Sequence, residues 1–274
     1  MSSNSQSEYV NDETYLFSSV LAGKELEKQG WVLFENIVDD QLVERLRLDL
    51  DKANAIARQI QIKNGVAQNT DGTINHLLGL GDSFMEFLDR MYLKQTITHY
   101  FCGNYILNIF GGVNNLKNRP SYLLNIHRDV RSFTGNLKLM LQMIVMLDDF
   151  TLENGATYFM NGGHYVADRP SEKLFYENSS RAVGKSGSIV LFDANLWHAA
   201  GTNQTDDPRR ALTLCFTKPF VKQQLDLPRY FGYDYTTHLS EEMKQVLGYN
   251  ALVPTNLEEW YQPPEKRFYK PGQG

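Results

Sequence analysis

The stretch "LKLMLQMIVML" (residues 137–147) decides the fold class of this 274-residue chain. Its apolar run is interrupted by Gln142 and falls far short of the roughly 20 apolar residues that a membrane-spanning helix needs, so a buried strand is the better reading. Similar short stretches, separated by Gly, Asn, Asp and Pro, occur throughout the second half of the chain. They are "YILNIF" (105–110), "SYLLNIHRD" (121–129), "ATYFM" (156–160), "SIVLF" (188–192), "LWHAAG" (196–201) and "RALTLCF" (210–216). This spacing predicts a barrel or sandwich rather than alternating strands and helices.

The first third of the chain is predicted to be helical around a short strand. Apolar residues recur at helical spacing after a candidate N-cap at Asp39 or Asp40. They are Leu42, Leu46, Leu50 and Ala53. A short helix over 24–29, stopped by Gly30, and a strand "WVLF" (31–34) come before them.

The remaining segments complete the predicted organisation. Residues 1–23 are expected to form a flexible lead-in, and the turn-rich segment 65–83 a flexible loop or a lid. A closing helix is predicted within 239–250, ended by Gly248. We expect one domain over residues 24–274.

Composition limits the classes of partner. The net charge is −5 and the pI about 5.7, which gives no electrostatic attraction to nucleic acid or to an anionic membrane. The two cysteines, Cys102 and Cys215, lie in apolar contexts and are expected to be core thiols. These observations favour a cytoplasmic protein that acts on a small molecule.

The stretch "NIHRDV" (125–130) contains a histidine and an aspartate two positions apart, and both residue types can bind metal ions. Residues i and i+2 of a strand point to the same face, so His127 and Asp129 could present an imidazole and a carboxylate to one ion. His198, in "LFDANLWHAAGTN" (191–203), is the candidate third ligand. Two histidines and one carboxylate form the facial triad of non-haem Fe(II) oxygenases, which leaves room for a bidentate 2-oxo acid and O2. The alternatives are a buried ion pair and a core histidine packed on Trp197.

A cation for the distal carboxylate of such a 2-oxo acid is available in "TNQTDDPRRALTL" (202–214). Arginine suits this role because its planar fork donates two parallel hydrogen bonds. Only one of Arg209 and Arg210 can face inward on a strand. A solvated charge cluster is the alternative.

Taken in order, "HRD" (127–129), "MLDDFTLENGATYFMNGGHY" (146–165) and "GSIVLFDANLWHAAGTNQTDDPRRALTL" (187–214) resemble the phytanoyl-CoA dioxygenase (PhyH-like) family of Fe(II)/2-oxoglutarate oxygenases. The resemblance covers roughly residues 24–250. It implies a mainly β fold with flanking helices, namely a double-stranded β-helix (jelly roll). It also implies iron ligands at the positions of His127, Asp129 and His198.

The resemblance further assigns co-substrate residues. The family's oxoglutarate-binding arginine follows the distal histidine by eleven positions, which favours Arg209 over Arg210. Gln142, Asn125 and Thr205 occupy positions where polar residues could contact 2-oxoglutarate. The chain has "NGGH" (161–164) where the family usually has Pro-Gly-Ser-His, a change expected to affect loop shape.

The resemblance also implies a reaction and a class of substrate. Because Asp129 keeps the carboxylate that family halogenases lack, we expect hydroxylation of a metabolite or natural-product intermediate, with desaturation or cyclisation also open, and with release of succinate and CO2. The substrate pocket is expected to include Phe133, Thr157 and Tyr158. The alternative is a non-redox metal-binding jelly roll, which would ignore 2-oxoglutarate and O2.

Overall fold

Two antiparallel sheets and the helices that flank them make up the computed structural model, which describes residues 12–68, 70, 72–119 and 121–273, with side chains from residue 19 onward. The helices are α1 (Asp12–Gln29), α2 (Asp40–Lys63), α3 (Asp82–Asp89), α4 (Lys94–Phe101), α5 (Glu172–Glu177), α6 (Leu227–Phe231), α7 (Glu241–Leu247) and α8 (Leu257–Trp260). The strands are β1 (Trp31–Phe34), β2 (Thr73–Ile74), β3 (Ile106–Asn115), β4 (Met140–Met146), β5 (Tyr158–Met160), β6 (Ser179–Arg181), β7 (Ile189–Asp193), β8 (His198–Ala199) and β9 (Arg209–Thr217).

The larger sheet has the strand order β1-β7-β4-β9-β3-β2 among the described residues, and the smaller has the order β6-β5-β8. Within the larger sheet β4 lies between β7 and β9, with Gln142 opposite both Phe192 and Cys215. Every strand pairing in the two sheets is antiparallel. The prediction of a mainly β fold with flanking helices is confirmed.

One face of the larger sheet packs on the hydrophobic core and the other lines a cavity, as the alternation along β4 shows. Leu141 and Val145 are fully buried in the hydrophobic core, which they share with Leu42 and Leu46 of α2. Each such leucine contributes about 1.5–3 kcal/mol by its burial. Gln142 and Ile144 point to the opposite face, where a cavity opens between the two sheets.

Helix α2 starts where the sequence predicted, because the Asp39 side chain accepts a hydrogen bond from the Leu42 amide at 2.9 Å. The closing helix is also confirmed as α7, whose C-cap is Gly248 with φ +92°. At this position glycine allows a left-handed backbone that other residues rarely adopt. No helix in the described ranges has both the length and the apolar character needed to cross a membrane.

Helix α1 departs from the prediction, because it begins at Asp12 and includes residues expected in a flexible lead-in over 1–23. Its buried residues include Ala22 and Leu26, and Gly23 lies so close to α4 that an added Cβ would be 3.0 Å from the His99 ring. Contact with another helix, rather than amphipathic periodicity, therefore accounts for the helical conformation of this segment. Residues 1–11 lie outside the described part of the chain.

The segment 65–83 is also more ordered than a flexible loop over its whole length. Strand β2 pairs with β3, the Leu77 amide donates to the Phe110 carbonyl at 2.7 Å, and Leu77 is fully buried. Packing on the core thus fixes this segment from Thr73 onward.

Two further expectations are corrected. The stretch "SYLLNIHRD" does not form a strand, because Tyr122–Leu124 is a 3-10 helix and only His127 makes a single bridge, with His198. Cys102 is exposed at the end of α4 rather than in the core, whereas Cys215 is buried as expected.

Candidate active site

The site begins where two distant segments are hydrogen-bonded side by side. The amide of His127 donates to the His198 carbonyl at 3.0 Å, and the reverse bond measures 2.9 Å. The amides of Asp129 and Val130 both donate to the Ala194 carbonyl at 3.2 Å. The segment that carries His127 and Asp129 is therefore fixed against the segment that carries His198, although it is not itself a strand.

This pairing brings three candidate metal ligands together. One ligand atom from each of His127, Asp129 and His198 lies within 4.8 Å of the others. The Asp129 carboxylate oxygens are each 3.7 Å from a histidine Nε2, one from His127 and one from His198. Within the described part of the chain, these three residues form the group of histidine and carboxylate side chains that could hold a metal ion.

Both imidazole rings are oriented by main-chain carbonyls. His127 Nδ1 is 2.7 Å from the Asn125 carbonyl oxygen, and His198 Nδ1 is 2.9 Å from that of Leu196. Because a carbonyl oxygen can only accept, each Nδ1 donates to its carbonyl, and Nε2 is the ring atom that lies 3.7 Å from the Asp129 carboxylate and could bind a metal. Burial, with a smaller effect of His127, lowers the pKa of His198 to about 4, so this ligand is neutral at pH 7.

The donor set fits a divalent first-row transition metal. Two imidazole nitrogens and one carboxylate are the ligands of non-haem Fe(II) centres, and three protein ligands leave coordination positions for exogenous groups. His198, neutral at pH 7, meets the requirement that a ligand be deprotonated before a metal binds.

Arg209 is an unusual buried cation. Its side chain is 3% exposed, its guanidinium carbon lies 4.2 Å from the centre of the Phe150 ring, and its Nε has no hydrogen-bond partner. Burial, and then the nearby Arg181, lower the pKa of Arg209 to about 10. No ion pair to Arg209 occurs among the described residues, so its guanidinium is free to bind an anion.

Arg210 has the opposite environment. Its Nε and Nη2 each donate to the Asp148 carboxylate at 3.0 Å, and its Nη1 is 3.3 Å from Asp51. The strand alternation that directs Arg209 inward directs Arg210 to these carboxylates. Arg210 is therefore occupied, and Arg209 is the better candidate for the co-substrate.

A cavity of about 400 Å³ connects the candidate ligands with Arg209. Its floor consists of alternate residues of β4 and β9, and these are Met140, Gln142, Ile144, Arg209, Ala211, Thr213 and Cys215. Thr157 of the predicted substrate pocket also lines it. The predicted residues His127, Asp129, His198, Arg209, Gln142 and Thr157 are thus brought together.

Four other predicted site residues are not among those that line the cavity. Phe133 packs against the Arg128 guanidinium, 5.3 Å from its ring centre, and Tyr158 packs similarly against Arg181 at 4.0 Å. The Thr205 hydroxyl donates to the Asn203 side chain at 2.7 Å within a turn. Asn125 is exposed and acts through its carbonyl on His127.

The sequence reasoning also missed residues that line the cavity. Cys215 has the same parity as Arg209 on β9, and Arg131 has the same parity as His127 and Asp129. Counting in steps of two from Arg209 would have found Cys215, whereas Arg131 lies in a segment that is not a strand, so strand periodicity gave no signal for it. Asn75 and Gln224 line the cavity from separate loops and Tyr122 lines it from a 3-10 helix, so strand periodicity carried no signal for them.

The fold and the site define a jelly-roll protein with a centre of two histidines and one carboxylate. The model of the phytanoyl-CoA dioxygenase (PhyH) family matches residues 26–211, and the chain belongs to this family. The predicted resemblance is confirmed.

Relatives and solved structures agree with this membership. An uncharacterised protein of Mycobacterium tuberculosis is 32% identical over 69% of this chain and 68% of its own. The iron/alpha-ketoglutarate-dependent dioxygenase penM of Penicillium thymicola is 28% identical over 69% of this chain and 65% of its own. The family and these names point to a dioxygenase.

The jelly-roll fold is confirmed by structural similarity. AviO1 from Streptomyces viridochromogenes superposes with a TM-score of 0.57 and 17% identity, covering 74% of this chain and 96% of its own. The non-haem alpha-ketoglutarate-dependent epimerase SnoN from nogalamycin biosynthesis superposes with a TM-score of 0.57 and 16% identity, over 73% and 81% of the two chains.

Proposed function

We propose that this protein is an Fe(II)- and 2-oxoglutarate-dependent oxygenase that oxidises a small molecule. The observation that carries the proposal is the shared cavity, in which a buried arginine without an ion-pair partner accompanies a His-Asp-His cluster. A buried charge without a partner costs several kcal/mol of folding free energy, so a ligand that neutralises it is expected. The name of the Penicillium relative penM supports iron and 2-oxoglutarate as the ligands.

In this proposal His127, Asp129 and His198 hold the iron. Arg209 binds the distal carboxylate of 2-oxoglutarate through two hydrogen bonds, and Gln142, which lines the same floor, donates a further one. When bound, Fe(II) would supply the activation of O2 that is coupled to decarboxylation of 2-oxoglutarate to succinate and CO2.

The apolar residues of the floor have a separate role. Ile144 of β4 and Ala211 of β9 line the cavity near the end where Arg209 is found. They keep water from the Arg209 guanidinium, which strengthens its interaction with a carboxylate. Thr157, which directly precedes β5, borders the cavity and is proposed to contact the substrate.

Hydroxylation is the reaction we propose first, because Asp129 retains a carboxylate at the metal centre. Desaturation and cyclisation need the same metal and co-substrate and differ in how the substrate carbon is held. Identification of the oxidised product decides among them.

An anaerobic titration tests the proposal. Fe(II) and 2-oxoglutarate are added to the metal-free protein, and the visible charge-transfer band of a chelated 2-oxo acid is recorded. We expect the band in the wild-type protein, no band in Asp129→Ala, and an unchanged band in Asp168→Ala, whose carboxylate is exposed and distant in sequence from the cluster.

The competing function is a metal-binding jelly roll without redox turnover. If the wild-type protein binds Fe(II) without developing the band, or binds Zn(II) and consumes neither 2-oxoglutarate nor O2, the oxygenase proposal is wrong.

A further inference from the structure

The cavity has an arginine at each end of strand β4. Arg209 lies toward the Met146 end, because Met146 is paired with Ala211 of β9. Arg131 lies toward the Met140 end, since the adjacent Val130 amide donates to Ala194, whose own amide donates to the Met140 carbonyl at 3.3 Å. Both arginines line the cavity, and Gln142 lies between these ends.

The backbone that carries Arg131 is fixed on both sides. Before it, Asp129 and Val130 are hydrogen-bonded to Ala194. After it, the Thr134 amide donates to the Asn195 side-chain oxygen at 3.1 Å, and the Asn195 amide group donates to the Thr134 hydroxyl at 2.8 Å. The position of Arg131 relative to the candidate metal ligands is therefore set by the fold.

The side chain of Arg131 is left without a partner. No hydrogen bond or ion pair to it occurs within the described ranges, whereas the nearby Arg128 packs on Trp197, 4.5 Å from its ring centre, and donates to the Ala167 carbonyl. The neighbouring cations Lys138 and Arg210 are paired with Asp193 and Asp148. Arg131, which is exposed to solvent, thus differs from these cations in lining the cavity without a partner.

We propose that Arg131 binds an oxyanion of the substrate, a carboxylate or a phosphate, and so restricts the enzyme to anionic substrates. This inference rests on the proposed function, because it assigns the other arginine to 2-oxoglutarate. Gln224 and Tyr122 also line the cavity and can add hydrogen bonds to the oxyanion, while Ile109 and Met140 offer apolar surface to the carbon skeleton.

The spacing limits which carbon reacts. Asp129 and Arg131 are two positions apart, so their Cα atoms lie at most about 7 Å from each other along the chain. A substrate anchored at Arg131 therefore presents to the metal centre a carbon that is a few bonds away from its anionic group. A long chain with a remote anion fits this arrangement less well.

The experiment uses matched acids and neutral counterparts with the metal-loaded protein under anaerobic conditions. Straight-chain carboxylates from butanoate to octanoate, the corresponding alkyl phosphates, and the methyl esters of the carboxylates are titrated against the Fe(II)- and 2-oxoglutarate-bound protein. Binding is read from the perturbation of the visible band and, independently, from the rise in Tm. The variants are Arg131→Gln, Arg131→Lys and, as a control, Arg229→Gln, whose side chain is exposed on α6.

We expect the acids to bind at least about tenfold more tightly than the esters, and Arg131→Gln to weaken the acids by about tenfold to a hundredfold without changing the esters. Arg131→Lys should keep part of the preference and Arg229→Gln all of it. The comparison of carboxylates with phosphates shows which oxyanion the site prefers.

Three results would overturn the inference. In the first, no acid binds more tightly than its neutral counterpart. In the second, the Arg131→Gln protein still binds acids more tightly than esters. In the third, the Arg131→Gln protein loses affinity for 2-oxoglutarate but not for the acids. If instead no band forms in the wild-type protein, the proposed oxygenase function fails, while the rise in Tm still reports whether Arg131 selects anions.

Discussion

Replacing Arg209 by methionine should change stability and co-substrate binding in opposite directions. Burial lowers the pKa of Arg209 well below the usual arginine value, to about 10, which corresponds to a cost of roughly 3 kcal/mol for keeping the cation in the folded protein. Methionine removes this cost and fills part of the space beside Phe150 but loses the cation–π contact. We expect the ligand-free variant to gain about 1–2 kcal/mol of unfolding free energy, or about 2–8 °C in Tm.

The same variant should lose its affinity for 2-oxoglutarate. Two charge-assisted hydrogen bonds to the distal carboxylate contribute about 1.5–3 kcal/mol each, so the Kd should rise by more than a hundredfold. The anaerobic Fe(II) titration measures this Kd. Calorimetric unfolding with and without 2-oxoglutarate measures both effects on one sample, because a ligand that binds only the folded state raises Tm.

Arg210→Met is the matched control, since it removes the adjacent arginine of the same strand. Arg210 donates two hydrogen bonds of 3.0 Å to Asp148, so its loss should lower the unfolding free energy by about 1–3 kcal/mol. Its affinity for 2-oxoglutarate should stay within about twofold of the wild type, because its side chain points away from the cavity. The reasoning is refuted if Arg209→Met destabilises the ligand-free protein and keeps co-substrate affinity, while Arg210→Met loses it.

Two further predictions concern stability. Gly155 has φ +85°, and an added Cβ would lie 2.2 Å from the Gly201 carbonyl oxygen, so Gly155→Ala should lower the unfolding free energy by at least about 2 kcal/mol. Gly135 has φ +58° but lies in open space, so Gly135→Ala should cost only about 1 kcal/mol. Urea unfolding of the two variants compares these costs, and equal costs would contradict the clash at Gly155. Burial lowers the pKa of His164 below its usual 6.5, so the unfolded chain binds its proton first and stability should fall as pH drops below about 6.5. His164→Gln, which keeps a donor for the Glu27 carbonyl, should flatten this dependence, and an unchanged slope would show that His164 is not responsible.

The larger sheet could be predicted because each of its strands carries its own local signal. Residues 140–145 alternate between side chains that line the cavity and side chains that reach the core, and residues 211–216 do the same. A two-residue period specifies two faces regardless of which strands are neighbours. The long apolar face of α2 gave an equally local signal, and its N-cap at Asp39 marked the start.

The parts that failed depend on contacts between distant residues. Tyr158 seemed suited to a substrate pocket by position, but the guanidinium of Arg181, from another strand, packs on its ring, and Phe133 packs on Arg128 of its own segment. Helix α1 is stabilised by α4 rather than by a regular apolar stripe. Such pairings are absent from a sequence read in short windows, so they could not be predicted from it.

The choice between Arg209 and Arg210 shows how little additional information a site prediction needs. The sequence put two identical side chains on adjacent strand positions, which must face opposite sides of the sheet. A single contact, the bidentate pair of Arg210 with Asp148, then fixes which arginine faces outward and leaves the other unpaired beside the cavity. The same parity places Ala211, Thr213 and Cys215 on the floor with Arg209. One assigned residue on a strand therefore locates the whole row of site residues, whereas the loop residues Asn75 and Gln224 require the three-dimensional fold.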